Sequence, residues 1–355
     1  LDDQNQIWIG FYDRGAVLYD PISSRFEKSL FAAGDLNILR NKSVLSTYQD
    51  SENRVWMGTD GDGLYCFTED KQVCVFTNDE SDSQSLSSNV ITSISELPSG
   101  ELLVGTYGAG LNIIETASGR VRRLGKNGTP PLDLNTASFW EMFRDSRDNI
   151  WMGMLGLGLI RYDPGENLFI DLGPGSTELN RIDQSNIMVI YEDSEGDIWF
   201  GTEGGGVQIL DRELNRMTEL STRIPQPVLA NSRIKSIMQD RRGQVWIGTE
   251  GDGIFIYSKR TGEVFRLTVE EGLPDMIIQG MIEDPRGSVW ISTGNGLALY
   301  NPETLRVLNF TRSDGLSASE FNGEAILQIQ DGRIITGSTG GADVFRPEAI
   351  VLNQN

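Results

Sequence analysis

Short apolar runs, each bounded by Gly, Asn or Asp, follow one another along the whole chain and predict β-strands. Two neighbouring segments show the same order of four runs. In the first segment the runs are 187–192, a run around Trp199, 207–210 and 217–220. In the second they are 234–239, a run around Trp246, 254–257 and 264–267. The pattern therefore predicts repeated units of four short strands with almost no helix.

The units share one phrase, Trp-x-Gly-Thr-x-Gly-x-Gly, which is clearest at Trp56, Trp199 and Trp246. Weaker copies complete a set of eight units, spaced 44 to 48 residues apart. The Trp position of these units is held by Trp8, Trp56, Leu103, Trp151, Trp199, Trp246, Trp290 and Ile335. Only Gly, Asn or Asp stands three residues earlier, and these residues tolerate the positive φ of a tight hairpin turn.

Repeated four-stranded units of this length predict an all-β fold, a β-propeller in which each unit forms one blade. The repeated Trp is expected to fill the space between adjacent blades. Because the first unit lacks its innermost strand, we favour eight blades with the first incomplete. The alternative is seven blades, with the first unit left over from a preceding propeller. Residues 1–355 are expected to belong to a single propeller domain within a longer protein.

The repeats resemble those of the two-component regulator propeller family over essentially the whole chain. The resemblance rests on the Trp phrase, on Glu192-Asp193 and Gly196 before it, and on Tyr162-Asp163 after a third strand. The final stretch resembles the last repeat of such sensors through Asp314-Gly315-Leu316, Glu320-Phe321-Asn322, Gly340-Gly341 and Phe345-Arg346-Pro347. No Trp-Asp dipeptide occurs, which argues against the Trp-Asp repeat class.

This resemblance implies a sensor module in the periplasmic part of an inner-membrane receptor, often for oligosaccharides in gut bacteria. In that family the propeller leads into a small β-sandwich, a membrane helix and then a histidine kinase, hybrid kinase or diguanylate cyclase. These domains are the expected partners, together with a second copy in a homodimer. The output enzyme would lie outside this chain, so the chain itself is not expected to be an enzyme. We also expect the natural protein to extend upstream, because Leu1 falls inside a repeat.

Composition narrows the classes of ligand. The chain has 51 acidic and 30 basic residues, a formal net charge of −21 and no histidine. Such a polyanion attracts neither nucleic acid nor an anionic membrane surface. Its mean hydropathy is −0.27, and no apolar run in the sequence approaches a length of about 18 residues, which excludes a membrane-spanning helix in this sequence. The absence of histidine removes histidine-dependent triads and zinc sites, and no cofactor is expected.

The expected binding region is the mouth of the central channel, on the face that carries the glycine-rich loops. Four residues past the Trp position stand Tyr12, Asp60, Tyr107, Glu203 and Glu250. This position varies inside an otherwise constant phrase, which favours contact with a ligand; simple solvent exposure is the alternative. Arg233, just before an innermost strand, can bind an acidic ligand group or pair with one of the two glutamates.

A second candidate lies on the innermost strand of the fourth unit. Most units have a small residue ten positions before the Trp, but this unit has Glu141 there. Beside it, Trp140 is the one tryptophan outside the repeat register. An aromatic ring next to a carboxylate suits a sugar, whose C–H face stacks on the ring while its hydroxyls donate to the carboxylate. The alternative is a hydrated channel glutamate and a tryptophan that fills space.

The cysteines occupy strand positions that are apolar in other units, so Cys66 and Cys74 are both predicted to be buried. They flank a hairpin centred on Asp70, which places them opposite one another and permits a disulfide in an oxidising compartment. The alternative is a pair of inert thiols. The acidic glycine loops 60–63 and 250–253 lack the spacing of a calcium loop and favour a structural turn, so no metal site is predicted.

Three functions are compatible with these observations. The first is a sensor that binds a small molecule, such as an oligosaccharide, at the channel mouth and transmits binding as a population shift. The second is a dimerisation scaffold that binds no small molecule. The third is a glycosidase or lyase that uses Glu203 and Glu250 as an acid and base pair.

Overall fold

The computed structural model describes residues 7–11, 15–19, 26, 27, 30, 35–124, 134–224 and 227–350. In these ranges the chain forms 29 β-strands and no α-helix. The connections contain 3-10 helices at Asp35–Leu39, Leu134–Thr136, Leu220–Thr222, Pro227–Ala230, Val269–Glu271, Arg312–Asp314 and Pro347–Ala349. Within the same ranges, no helix has the length and apolar character that crossing a bilayer requires.

The strands pair only with antiparallel neighbours, in the order in which they occur along the chain. A separate hairpin contains β1 (Ile7–Phe11) and β2 (Gly15–Tyr19). Blade 1 contains β3 (Val44–Gln49), β4 (Val55–Thr59), β5 (Leu64–Phe67) and β6 (Val73–Phe76). Blade 2 contains β7 (Ile91–Glu96), β8 (Leu102–Thr106), β9 (Leu111–Glu115) and β10 (Arg120–Leu124). Blade 3 contains β11 (Ser138–Arg144), β12 (Ile150–Leu155), β13 (Gly158–Asp163) and β14 (Leu168–Asp171).

The second half of the ring has the same construction. Blade 4 contains β15 (Ile187–Glu192), β16 (Ile198–Thr202), β17 (Val207–Asp211) and β18 (Arg216–Glu219). Blade 5 contains β19 (Ile234–Gln239), β20 (Gln244–Thr249), β21 (Ile254–Ser258) and β22 (Val264–Leu267). Blade 6 contains β23 (Ile278–Glu283), β24 (Val289–Thr293), β25 (Gly296–Asn301) and β26 (Arg306–Phe310). Blade 7 contains β27 (Phe321–Gln328), β28 (Ile334–Ser338) and β29 (Gly341–Phe345).

The propeller has seven blades, which is the alternative count rather than the favoured count of eight. Their innermost strands contact one another in a closed cycle, β3, β7, β11, β15, β19, β23, β27 and β3 again. The Asn322 amide of blade 7 donates to the Val44 carbonyl of blade 1 at 2.8 Å. The segment before blade 1 pairs with blade 7, because Glu27 and Val344 form an antiparallel bridge. Trp8 lies on β1, outside this cycle, so the first repeat does not make an eighth blade.

The glycine of the Trp-x-Gly phrase lets neighbouring blades touch. A Cβ atom at Gly201 would lie 2.6 Å from Ile234 Cγ2, and one at Gly337 would lie 2.8 Å from Val44 Cγ1. Ile234 starts the innermost strand of the next blade, and Val44 starts that of blade 1. Any side chain at these glycines would therefore push two blades apart. The contact between Gly337 of blade 7 and Val44 of blade 1 closes the ring.

The repeated tryptophans lie between blades, as predicted. Trp199 is fully buried and packs with Ile234, Ile237 and Val245 of the following blade. The predicted turn residues three positions before the Trp also have positive φ, for example +65° at Asn53. We call the end with the glycine-rich loops the upper face, and the end with these turns the lower face.

Candidate functional site

The innermost strands surround an axial cavity of 460 Å³. Polar and apolar side chains line it, including Ser46, Thr47, Thr92, Glu141, Val189 and Ile326. This volume is in the range of small-molecule sites. The buried hydroxyl of Thr47 has no hydrogen-bond partner among the described residues.

A bulge interrupts the register of each innermost strand near its upper end. In blades 1 to 6 the residues skipped by the ladder are Leu45, Thr92, Trp140, Met188, Lys235 and Gln279. We call these six residues the mouth layer, because they lie one position closer to the glycine-rich loops than Ser46 and Glu141. A bulge turns its side chain away from the alternation of the strand, which is how strands often present residues at binding sites.

Two members of the mouth layer meet across the channel. Lys235 Nζ lies 5.8 Å from the centroid of the Trp140 ring. Trp140 belongs to β11 and Lys235 to β19, and β15 stands between these two strands in the ring. Both side chains are half-buried. The distance is close to the outer limit of a cation–π contact, so the contact is weak.

Gln279 lies beside this pair. A Cβ atom at Gly323 would lie 3.5 Å from Gln279 Oε1 and 3.7 Å from Lys235 Cε. Both side chains therefore end next to the same backbone segment of blade 7. Gln279 Oε1 is buried and accepts no hydrogen bond from the described residues. A buried acceptor without a donor is uncommon and is a feature that a ligand hydroxyl can satisfy.

A polar network lies on the upper rim of blades 4 and 5. Arg233 contacts Glu203 at 2.7 Å and Glu250 at 3.5 Å. Asn186 Nδ2 donates to Glu203 Oε2 at 2.7 Å, and its carbonyl oxygen Oδ1 accepts from the Gly156 amide at 2.6 Å. The predicted alternative of a salt bridge is therefore what the structure shows. Arg233 stays half-exposed, so these side chains offer both donors and acceptors to solvent.

The remaining predicted residues are less connected. Glu141 is half-buried and lines the axial cavity just below Trp140. Asp60 and Tyr107 are exposed on the loops of blades 1 and 2, and no described contact joins them to the network on blades 4 and 5. Tyr12 lies outside the described residues. The structure thus brings together Trp140, the rim network and Lys235 on one side of the mouth.

The acidic glycine loops are turns, as the sequence favours. Thr202 Oγ1 donates to the Gly206 carbonyl at 2.9 Å and accepts from the Gly205 amide at 3.0 Å. In the equivalent loop of blade 5, Asp252 accepts from Ser232 Oγ at 2.9 Å and pairs with Arg266 at 3.3 Å. Within the described residues, no group of Cys, Asp and Glu side chains is arranged to hold a metal ion.

The two cysteines face one another but differ in exposure. Cys66 and Cys74 are directly paired in the register of β5 and β6, as predicted. Both are free thiols; Cys66 is buried and Cys74 is exposed. The expectation that Cys74 is buried is wrong, because β6 is the outermost strand and its residues 73–75 face solvent. Burial is the main cause that raises the pKa of the Cys66 thiol to about 12, and the neighbouring Cys74 adds a smaller contribution.

Buried charges on the lower face connect blades rather than form a catalytic site. Asp145 of blade 3 accepts from the Arg212 guanidinium of blade 4 at 2.8 Å. Burial alone would raise the pKa of Asp145, but the Trp151 indole N–H, Arg212 and Asn149 outweigh burial and hold it below the ordinary value. Burial would likewise lower the pKa of Lys259, but Asp193 and its neighbours raise it instead.

Sequence reasoning missed Lys235 and Gln279. Both stand eleven residues before the Trp position, where the units of blades 1 to 4 have Leu45, Thr92, Trp140 and Met188 and the unit of blade 7 has Glu324. The sequence contained a signal, because Lys235 is the one basic residue at this repeat position. Recognising its meaning required the contact with Trp140, which lies almost one hundred residues away along the chain.

Four segments of the chain match the two-component regulator propeller family, residues 38–61, 181–204, 228–251 and 272–295. Each segment runs from the entry of an innermost strand to the start of a glycine-rich loop. The chain is also 23% identical, over 346 residues, to Histidine kinase P4 of Formosa agariphila. That alignment covers 96% of this chain and 25% of the kinase, so the chain spans about a quarter of that relative's length.

Solved structures with the same fold include extracellular domains of putative two-component systems and an enzyme. The extracellular domain of a putative hybrid two-component system from B. thetaiotaomicron has a TM-score of 0.79 at 24% identity, over 100% of this chain and 45% of that one. A second such domain from the same organism has a TM-score of 0.67 at 20% identity, over 91% and 39% of the two chains. Virginiamycin B lyase from Staphylococcus aureus has a TM-score of 0.64 at 12% identity, over 86% and 94%. At these identities the likenesses establish the propeller fold.

Proposed function

Because four segments of this chain match the two-component regulator propeller family, we propose that it is the ligand-sensing propeller of an extracytoplasmic receptor. Its ligand is an oligosaccharide bound at the upper mouth of the channel. The similarity to a histidine kinase and to extracellular domains of hybrid two-component systems supports the sensory role. The kinase part of such a receptor would follow this propeller in the same protein.

The observation that carries the ligand assignment is the position of Trp140. A bulge in β11 moves this half-buried residue out of the strand alternation, and it directly precedes Glu141, which lines the 460 Å³ axial cavity. The other tryptophans in the described blades pack between blades. A tryptophan ring at a channel mouth offers a flat apolar surface that matches the C–H face of a pyranose.

The rim network supplies the polar contacts that such a ligand needs. Glu203 and Glu250 present carboxylate oxygens that accept from sugar hydroxyls, and Arg233 and Asn186 present N–H donors. Arg233 already holds both carboxylates, so these groups are positioned before the ligand arrives. Positioned polar groups around an apolar platform are typical of small-molecule sites.

A ligand at this position would touch several blades at once. Trp140, Asn186 and Lys235 come from blades 3, 4 and 5. Binding would change the spacing of these blades only if the ligand prefers one arrangement energetically. The response would reach the following domains as a change in the population of two propeller arrangements.

The site is non-catalytic in this proposal. Glu203 and Glu250 both face Arg233 and are 30% and 37% exposed, so their surroundings are alike. Acid and base catalysis by two carboxylates needs unlike surroundings that separate their roles. A lyase neighbour becomes inactive when one of its histidines is replaced by alanine, whereas this chain contains no histidine.

The test is a binding experiment on the full chain. Isothermal titration against a panel of oligosaccharides is expected to find at least one ligand, and the ligand should also raise the unfolding midpoint because it binds only the folded state. Trp140→Ala is expected to lower the affinity about tenfold, since a stacked ring contributes roughly 0.5–1.5 kcal/mol beyond its buried area.

The matched control is Phe265→Ala, which removes a half-exposed aromatic ring from the outermost strand of blade 5, far from the channel. It should leave the affinity unchanged. If no saccharide binds, or if Trp140→Ala binds as tightly as the parent chain, the proposed site is wrong.

A further inference from the structure

We infer that the ligand of the mouth is an acidic saccharide, one whose ring carries a carboxylate or a sulfate ester, and that Lys235 binds this anionic group. The inference rests on the proposed saccharide site and adds the chemical class of the ligand. It depends on the charge, position and neighbours of Lys235.

Lys235 differs from Arg233 and Arg266, two other cations of the upper face, in having no acidic partner among the described residues. Arg233 pairs with Glu203 and Glu250, and Arg266 pairs with Asp252. Among the described residues, no carboxylate lies within ion-pair distance of the Lys235 ammonium. In a chain with a net charge of −21, a half-buried lysine without a carboxylate partner is unusual.

The geometry leaves Lys235 available to a ligand. The only described contact of the Lys235 ammonium is a cation–π contact with the Trp140 ring, at 5.8 Å from the ring centroid. This weak contact joins β11 and β19 near the upper ends of these strands. An anionic group would form a charge-assisted hydrogen bond to the ammonium, which is stronger than the cation–π contact it replaces. The ring face would then become free for the sugar.

Gln279 gives the ligand a second requirement. Its side-chain oxygen is buried without a described donor and lies beside the same blade 7 segment as the Lys235 chain. This oxygen accepts a hydrogen bond, so the group that satisfies it is a hydroxyl or an amide N–H of the ligand. An anionic substituent next to a hydroxyl on one ring fits an ammonium next to a carbonyl oxygen.

The surrounding charge argues for a saccharide with few anionic groups rather than for a simple polyanion. Glu203 and Glu250 stand on the rim above Lys235 and would repel additional negative charge. An inorganic anion would use the ammonium but would leave Trp140 without a partner. The combination of one cation, one aromatic ring and one acceptor is satisfied by an acidic pyranose.

The test compares three ligands by isothermal titration with the full chain: an oligogalacturonate, a sulfated galactan oligosaccharide and a neutral galactan oligosaccharide. At least one acidic ligand is expected to bind more tightly than the neutral one. Lys235→Met keeps the aliphatic chain on Trp140 but removes the charge, and it is expected to lower affinity for the acidic ligand roughly ten- to hundredfold. Lys235→Arg, which keeps the charge, should retain most of the affinity for the acidic ligand.

The matched control is Lys71→Met, which removes the same charge from an exposed turn between β5 and β6. It should bind like the parent chain. If the neutral ligand binds best and Lys235→Met has no effect while Trp140→Ala does, the acidic assignment is wrong and the saccharide site stands. If none of the saccharides binds, both proposals fail. Comparison of the carboxylated and sulfated ligands identifies which anionic group the site accepts.

Discussion

At the residue scale, one pair of side chains explains why tryptophan recurs. In five blades the indole N–H donates to a buried aspartate six residues earlier, at 2.7 to 3.3 Å. The pairs are Trp56 with Asp50, Trp151 with Asp145, Trp199 with Asp193, Trp246 with Asp240 and Trp290 with Asp284. The same carboxylates accept backbone N–H groups of the lower turn, for example from Gln244 to Asp240 at 2.9 Å. Phenylalanine would fill the space but could not donate to the carboxylate.

We predict that Trp151→Phe destabilises the protein by about 1.5–3 kcal/mol at neutral pH, because the buried Asp145 carboxylate loses a donor. Chemical denaturation measures this difference. Trp140→Phe is the control, since no described residue accepts a hydrogen bond from that indole, and it should cost much less. Equal losses for the two variants would show that the indole N–H is unimportant.

The same pair predicts a dependence on pH. The folded pKa of Asp145 is below the ordinary value of 3.8, so this group stabilises the fold at pH values above its unfolded pKa. That stabilisation is lost as the pH falls through the folded pKa, because the carboxylate becomes protonated in both states. We therefore expect the difference between Trp151→Phe and the parent chain to shrink below about pH 4. Denaturation curves recorded from pH 7 to pH 3 provide the measurement.

At the scale of the blade, a second repeated contact holds neighbours together. A Glu or Gln seven residues before the Trp position accepts from a backbone N–H in the lower turn of the preceding blade, at 2.8 to 3.0 Å in most cases. The pairs are Gln49 with Gln330, Glu96 with Ser51, Glu192 with Ser146, Gln239 with Ser194, and Glu283 with Arg241. We call this contact the turn latch.

Two junctions lack the latch, and the residues on both sides explain why. Before blade 3 the turn residue is Pro98, and before blade 7 it is Pro285. Proline has no N–H to donate. On the accepting side, blade 3 has Arg144, which instead pairs with Asp148 of its own turn at 2.6 Å. Gln328 of blade 7 likewise donates to its own turn.

We predict that Glu192→Ala lowers the free energy of unfolding by about 1–3 kcal/mol, because it leaves the Ser146 amide without its acceptor. Glu192 accepts from both the amide and the hydroxyl of Ser146, at 2.7 and 2.6 Å. Arg144→Ala is the matched control at the same position of blade 3, where no latch exists, and it should change stability by less than about 0.5 kcal/mol. A similar loss in both variants would mean that the latch contributes nothing.

At the scale of the whole molecule, the ring is closed without a covalent bond. The Glu27 amide donates to the Val344 carbonyl at 2.7 Å, and the Val344 amide donates back at 3.2 Å. This pairing adds a segment that precedes blade 1 to the outer edge of blade 7. It covers the exposed edge of β29, which would otherwise offer unpaired backbone groups.

Replacing Glu27 with proline is predicted to weaken this closure, because proline removes the N–H that the Val344 carbonyl accepts. We expect a lower unfolding midpoint and faster hydrogen exchange in blade 7 than in blade 4. Glu27→Ala keeps the backbone donor and should behave like the parent chain. An unchanged midpoint for the proline variant would show that the bridge does not hold the ring closed.

Local sequence was sufficient to predict the blade and its internal contacts. Strand positions, the hairpin turns with positive φ and the burial of the tryptophans follow from patterns within about 48 residues, because each blade is built from strands adjacent along the chain. The side-by-side placement of Cys66 and Cys74 was predictable for the same reason. The exposure of Cys74 was not, since it depends on β6 having no further strand outside it.

The number of blades and the composition of the mouth were decided only by the tertiary structure. A repeat count does not reveal which units close a ring, because closure depends on Val44 meeting Gly337 and on Glu27 pairing with Val344. Repetition does predict that equivalent positions form a layer around the axis. It does not predict which members of that layer touch, and the contact between Lys235 and Trp140 exists because strands two blades apart converge at the channel.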